Sequence, residues 1–275
     1  MEYEVNIELE KKNPREKVSK IVFLDTETTG LTEQDKIIEL GLISCSCCIK
    51  TGRLLSIDRV YSATEDPGYP LSDNIVALTG LTDKKIEHSS FNEKEVSAFI
   101  HDAKLIVSHN AAFDRPFFER RFPKLKNFNW GCTLSLDWNN YLPGSKKSLI
   151  SLLNSSGYTF TAHRAINDAL AVVWLMYIQP DAFKDLLSTV KNGWSKIILQ
   201  LQNSTNTLFK ELAQNSYKPT KNKQYWYRII PQSNEDHEFE TLSYINERFK
   251  QNDTDIFKID IENITNINAF IRSDL

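Results

Sequence analysis

The segment Ile21-Val22-Phe23-Leu24-Asp25-Thr26-Glu27-Thr28 runs an apolar stretch straight into two acids. Side chains alternate along a strand, so Asp25 and Glu27, two positions apart, point the same way. Two carboxylates on one face at the end of a buried strand repel each other unless something positive stands between them. A hard divalent cation, Mg²⁺ or Mn²⁺, meets that need and prefers oxygen ligands. The alternative is a strand end whose acids simply reach water. A second segment, Ser108-His109-Asn110-Ala111-Ala112-Phe113-Asp114, follows the apolar run Leu105-Ile106-Val107. Its Asp114 precedes Arg115-Pro116 and equally fits an ordinary helix N-cap. The third segment runs from His163 to Asp168 and leads into residues 169–178, which lack a polar face and predict a helix buried nearly all round. Asp168 at the start of such a helix is costly unless it is paired or binds a cation. His163, five residues earlier, can approach the same site from the preceding loop; a capping or core histidine is the plainer alternative.

Taken in order, D-T-E-T-T-G, H-N-A-A-F-D and H-R-A-I-N-D resemble the signature segments of the DnaQ-like, or DEDDh, exonucleases, over residues 19–178. That family includes proofreading subunits of bacterial replicative polymerases and several exoribonucleases. Leu78-Thr79-Gly80-Leu81-Thr82 stands where such proteins often carry a turn that touches the substrate. The resemblance implies a ribonuclease H-like α/β fold, a mixed sheet flanked by helices. It further implies that Asp25, Glu27, Asp114 and Asp168 hold two divalent metal ions, Mg²⁺ or Mn²⁺, with Asp25 bridging them. By the same resemblance Thr26, Thr28, Thr79, Asn110 and Phe113 contact the terminal nucleotide, although Phe113 also has a core reading.

The implied reaction is 3′→5′ hydrolysis of phosphodiester bonds in single-stranded DNA, releasing nucleoside 5′-monophosphates. It requires in-line attack by water, a stabilised phosphate and a neutralised leaving oxygen, and two ions about 3.5–4 Å apart can supply all three. The water must also lose a proton near neutral pH, which suits a histidine and assigns His163 as general base. An exoribonuclease of the same superfamily is the alternative enzyme. A non-catalytic nucleic-acid-binding or polymerase-docking module is the alternative outside enzymology, and it predicts a lost ligand where none is lost. The chain has no G-x-S-x-G, G-x-G-x-x-G or phosphate-binding G-x-x-x-x-G-K-[ST] to support another hydrolase or nucleotide-binding reading.

The elements that must position these residues are legible in outline. Residues 20–24, 37–49 and 53–63 read as three strands, the last two joined at Thr51-Gly52, and 104–108 as a fourth. Helical patterns fall near 115–121, 147–155 and 164–178, so strands and helices alternate as in a layered α/β architecture. At Gln179-Pro180 the pattern changes, and the chain becomes rich in Lys, Asn and Gln. The expected organisation is an N-terminal extension over 1–18, an exonuclease domain over 19–180 and a smaller α+β accessory region over 181–275. That region should hold helices at 182–190, 194–214 and 239–249 and strands at 224–230 and 256–261. Its stretch from Tyr217 to Arg228 interleaves four basic residues with four aromatics and no acid. This suits either a groove for single-stranded nucleic acid or a hairpin with an aromatic core face and solvated lysines.

A net charge of −3 over 275 residues argues against a generally basic, histone-like binding surface, though not against a local basic groove. No apolar run approaches the roughly 18 residues needed to cross a bilayer, and the polar start lacks the apolar core of a secretory signal. A cytoplasmic protein is expected, with nucleic acid and a DNA polymerase as candidate partners. Cys45, Cys47, Cys48 and Cys132 lack the paired spacing of a zinc site and read as reduced thiols packed in or beside a strand.

Overall fold

The computed structural model describes residues 2–13, 15–202, 205–220, 223–250, 254–265 and 270. Among them the strands are β1 (Glu2–Glu8), β2 (Val18–Thr28), β3 (Ile37–Cys48), β4 (Arg53–Thr64), β5 (Ala103–Ser108), β6 (Trp130–Cys132), β7 (Trp194–Leu201), β8 (Lys218–Pro219), β9 (Tyr225–Pro231) and β10 (Phe257–Ile264). The helices are α1 (Asp73–Thr79), α2 (Asp83–Ile86), α3 (Glu93–Ile100), α4 (Ala111–Arg121), α5 (Leu149–Ser155), α6 (Ala165–Ile178), α7 (Pro180–Asn192), α8 (Asn206–Gln214) and α9 (Glu235–Phe249).

Six strands form a mixed sheet in the order β1-β4-β3-β2-β5-β6. β1 to β4 pair antiparallel, while β5 runs parallel to β2 and β6 parallel to β5. β2 is central because its run Ile21–Leu24 is apolar at every position, which only a strand covered on both faces can hide. α6 packs on β2 and β3 with Val172, Val173, Leu175 and Met176 buried. Residues 1–18 contribute β1, an edge strand paired with β4. Short strands at sheet edges carry little periodicity of their own, and neither β1 nor the three-residue β6 was foreseen.

The larger core continues past Pro180. This proline sits at the first position of α7, where its missing N–H costs nothing, and Phe183, Leu186 and Leu187 of α7 are fully buried against the main sheet. A second sheet, β10-β7-β9-β8, builds a separate core with α8 and α9 around Ile197, Leu199, Leu212, Trp226 and Leu242. Here the expected helix over 194–214 is corrected: residues 194–201 are β7, the strand between β10 and β9. The run Trp-Ser-Lys-Ile-Ile-Leu carries β-branched residues that favour a pleated surface, and apolar spacing alone does not separate a buried strand from a helix. Thr205 starts the true helix, its side chain accepting a hydrogen bond from the Leu208 N–H at 3.1 Å.

The Tyr217–Arg228 stretch forms the β8–β9 hairpin, with Lys218 opposite Tyr227 and Pro219 opposite Trp226. Tyr217 and Trp226 are buried in the second core, as the hairpin reading expects; Lys221 and Asn222 lie outside the described residues. All four cysteines are free and buried. No helix among the described residues is long and apolar enough to cross a membrane.

Candidate active site

β2 ends at the site, and its alternation places Asp25 and Glu27 on one face. Carboxylate oxygens of Asp25, Glu27 and Asp168 lie within 4.8 Å of one another, all three residues partly buried. Among the described residues no other group of three acids, histidines or cysteines converges in this way. Asp168 comes from the first turn of α6. Neither Asp25 nor Glu27 has a hydrogen-bonded or ion-paired side-chain partner among the described residues.

Two residues of β3 that sequence reading passed over bring α6 to this spot. Gly41 lies opposite Asp25 in the β2–β3 register. A Cβ there would stand 2.4 Å from the carbonyl carbon of Ala165, so only glycine lets the start of α6 rest directly on the strand. Glu39 lies opposite Glu27 and is fully buried. Its carboxylate accepts hydrogen bonds from the Arg164 guanidinium at 2.7 and 3.0 Å and from the Ala165 N–H at 3.1 Å. Glu39 therefore anchors the helix that carries Asp168. The available signal was a lone acid inside the otherwise apolar Ile37–Leu42 run, where an ionised group must be paired.

His163 adopts φ = 67°, a left-handed conformation that costs a non-glycine residue about 1–2 kcal/mol. The turn directs the backbone N–H groups of His163 and Arg164 at the Asp168 carboxylate, the latter at 3.1 Å. The His163 side chain is exposed at the edge of the cluster. Strain concentrated on a residue beside three acids is the pattern of a functional turn.

Asp114 belongs to the first turn of α4, inside the helix, whose N-cap is Asn110. It is buried, and its Oδ1 accepts from the Thr26 backbone N–H at 3.1 Å and from the Thr26 hydroxyl at 2.8 Å. These bonds hold Asp114 beside the cluster but outside the tight group of three. Its charge is nevertheless felt at both Asp25 and Glu27.

The electrostatics follow from this crowding. Burial raises the Asp25 carboxyl well above its ordinary range, and the charges of Asp114, Asp168, Glu27 and Glu39 push it further. Glu27 is pushed up to about 8, by burial first and then by Asp168, Glu39 and Asp114, with Arg164 pulling the other way. Burial also raises Asp114 and Asp168, in each case against the hydrogen bonds they accept. Oxygen donors crowded together and reluctant to ionise fit a cation of high charge density and hard character, so the residues present suit Mg²⁺ or Mn²⁺.

The expected nucleotide contacts divide. Thr26 spends both donors on Asp114, and the Thr28 hydroxyl donates to the Gly30 carbonyl at 2.6 Å. The Thr79 hydroxyl closes α1 by donating to the Ile75 carbonyl. Asn110 and Phe113 line a cavity of about 790 Å³ beside α4, and Phe113 also packs on Phe117 with ring centroids 4.9 Å apart. His109 of the same motif is a support. Its Nε2 faces the Lys147 carbonyl at 2.9 Å and must donate, so its Nδ1 accepts from the Thr133 hydroxyl at 2.8 Å. Burial lowers its pKa to about 4, which keeps the ring neutral.

Comparison with known proteins agrees with this geometry. The PolC-type DNA polymerase III of Halalkalibacterium halodurans is 40% identical over 111 residues, covering 39% of this chain and 7% of the polymerase. That of Thermotoga maritima is 32% identical over 169 residues, 58% of this chain and 12% of the polymerase. The chain thus corresponds to a small part of these much longer relatives. Among solved structures, an E. coli ExoI–ssDNA complex superposes with a TM-score of 0.52 at 15% identity, covering 90% of this chain and 64% of that one. The likeness shows the ribonuclease H-like fold. A family model described as exonuclease, RNase T, matches residues 22–176. With that match spanning more than half its length, and with all five positions of the DEDDh set filled, the chain belongs to the exonuclease family.

Proposed function

We propose that the protein removes nucleotides one at a time from the 3′ end of single-stranded DNA, releasing nucleoside 5′-monophosphates. The observation that carries this reading is the convergence of Asp25, Glu27 and Asp168 within 4.8 Å, with no cationic side chain bonded to Asp25 or Glu27 among the described residues. Asp25, Glu27 and Asp168 would hold one divalent cation. Asp114, through the oxygen that Thr26 leaves free, would join Asp25 in holding a second. Bound there, the pair of ions supplies an activated water and charge neutralisation at the leaving 3′-oxygen.

The chain's own residues do the remaining work. Glu39 and Arg164 fix the start of α6, so Asp168 keeps its place as the acids ionise. His163, exposed on its strained turn, accepts the proton of the attacking water; an imidazole near neutral pH suits that task. Asn110 and Phe113 form the near wall of the cavity beside α4 and hold the terminal sugar and base. In this proposal the six-stranded sheet and its helices through α7 make up the catalytic unit, and the second sheet with α8 and α9 an accessory one. A polymerase partner is part of it too, because the curated relatives are themselves DNA polymerases.

The test is hydrolysis of a 5′-labelled oligonucleotide in Mg²⁺, Mn²⁺ or chelator, with wild type beside Asp25→Ala. A ladder shortening from the 3′ end, lost in chelator and in the variant, is expected; an undiminished ladder in either would refute the reading. Labelled RNA run in parallel separates the exoribonuclease alternative. His163→Ala should lower turnover on the order of 10²-fold while Mn²⁺ binding persists, and near-normal turnover would remove its role as base.

A further inference from the structure

The cavity lined by Asn110 and Phe113 reaches beyond α4 to residues of the second sheet. Its lining also includes Lys147, from the loop before α5, and Lys196, Tyr227 and Arg228 from the second sheet. Among the described residues Lys147 lacks a partner and Arg228, though paired with Glu238, keeps one donor unused. The Lys147 amine makes no hydrogen bond or ion pair among the described residues. Burial, reinforced by the charge of Arg228, lowers its pKa to about 8. Arg228 is only 7% exposed, and its Nε has no partner among the described residues. Glu238 leaves little charge to spare for Lys147, because one of its oxygens is taken by the Arg228 guanidinium and the other by the Tyr217 hydroxyl at 2.6 Å. The one acid lining the cavity among the described residues, Glu262, faces Lys196 at 3.5 Å.

The charge of Arg228 is felt at Lys147, and an anion reaching both would offset that repulsion and meet the donors left unused. The backbone carbonyl of Lys147 is tied to the His109 ring, and His109 directly precedes Asn110. The backbone at Lys147 is therefore held to the segment that leads to Asp114. Two partly exposed aromatic rings line the cavity, Phe113 on α4 and Tyr227 on β9. Cations paired with stacking surfaces are what a single strand needs.

We propose that this cavity is an upstream strand-binding subsite in which Lys147 and Arg228 take a backbone phosphate of the single-stranded polynucleotide whose 3′ end lies at the carboxylates. The proposal deepens the exonuclease reading and rests on it. Its ligand is the phosphodiester, common to DNA and RNA, so the cavity grips the strand without reading its sequence.

The test is Lys147→Gln in the full chain, because Lys147 is partly exposed and its loss leaves the Arg228–Glu238 pair intact. The substrates are a nitrophenyl ester of a nucleoside 5′-monophosphate, too short to reach the cavity, and a length series of single-stranded oligonucleotides. Hydrolysis of the ester should be unchanged, whereas KM on long strands should rise about tenfold and the slope of log affinity against log salt should shrink by about 1. Lys147→Glu should raise KM further. Equal losses on ester and long strand, or none on the long strand, would overturn the subsite. Strand binding by fluorescence anisotropy in chelator reports the cavity independently of hydrolysis, so an inactive protein that still binds with Lys147-dependent affinity refutes the nuclease reading while keeping the subsite. The same series in RNA establishes whether the grip extends to ribose.

Discussion

Without a cation, the carboxylate cluster should make the protein less stable as pH rises. Glu27 shows the size of the effect, its pKa lifted from 4.5 to about 8 in the fold. Below pH 4.5 both folded and unfolded chains carry the proton and the cluster costs nothing. As pH rises from there to about 8, the unfolded chain releases a proton that the folded one retains, so stability falls by up to ~1.4 kcal/mol per pH unit for this residue. The ceiling over that window is about 5 kcal/mol. Glu27 keeps some contact with water and shares its repulsion with Asp168, which reduces the expected loss to about 2–3 kcal/mol. For a chain of this size that corresponds to roughly 5–10 °C in Tm. Asp25, Asp114 and Asp168 are raised too and act in the same direction. The assay is thermal unfolding at about pH 5 and about pH 8.5, in chelator and in millimolar Mg²⁺. In chelator Tm should drop towards the higher pH. Magnesium should restore it there and do little at the lower pH, because cations bind the ionised ligands. Glu27→Gln should flatten the fall in chelator. A Tm independent of pH in chelator, or a magnesium increment equal at both pH values, would refute the claim that these acids crowd one another in the fold.

Three further substitutions probe the supports of the site. Glu39→Gln removes the charge that clasps Arg164; because the Arg164 side chain is 43% exposed and can turn to water, the loss should be only about 1–3 kcal/mol, accompanied by weaker Mn²⁺ binding in calorimetry. Gly41→Ala drives a methyl into the Ala165 backbone and should cost about 1–3 kcal/mol in chemical denaturation, with exonuclease turnover falling as Asp168 is displaced. His109→Leu leaves the Lys147 carbonyl and the Thr133 hydroxyl without their partner and should cost about 2 kcal/mol. Since His109 is neutral in the fold, the pH dependence of turnover should keep its shape in that variant, and a shifted profile would mean that His109 titrates in the reaction.

How much of this was legible in the residues depends on the range over which each feature acts. Asp25 and Glu27 were readable because strand alternation is local: two acids after an apolar run can only share a face. Asp168 was readable because an apolar helix makes a charge at its first turn expensive wherever the helix sits. Asp114 was readable as a position, but its Oδ1 is committed to Thr26, 88 residues away in sequence, and that follows only from β5 lying beside β2. The same non-local dependence hid Glu39, Gly41 and the strand β7, whose apolar residues suit a helix equally well until β9 and β10 flank them.

What the sequence conceals is therefore the coupling between the acids. β2 can present two carboxylates by itself, but their pKa values are raised first by burial and then by the neighbouring acids, among them Asp168 at the start of α6. The approach of α6 is governed by a missing side chain at Gly41 and by the salt link from buried Glu39 to partly exposed Arg164. A helix resting on a glycine has no side chain to cushion it, so its height above the strand is fixed by backbone contact, and a carboxylate in its first turn inherits that fixed distance. The link to Arg164 sets the rotation of the same turn. Two constraints of different chemistry thus locate one oxygen, and the strained φ of His163 is the cost of bringing the preceding loop to the same point without disturbing either.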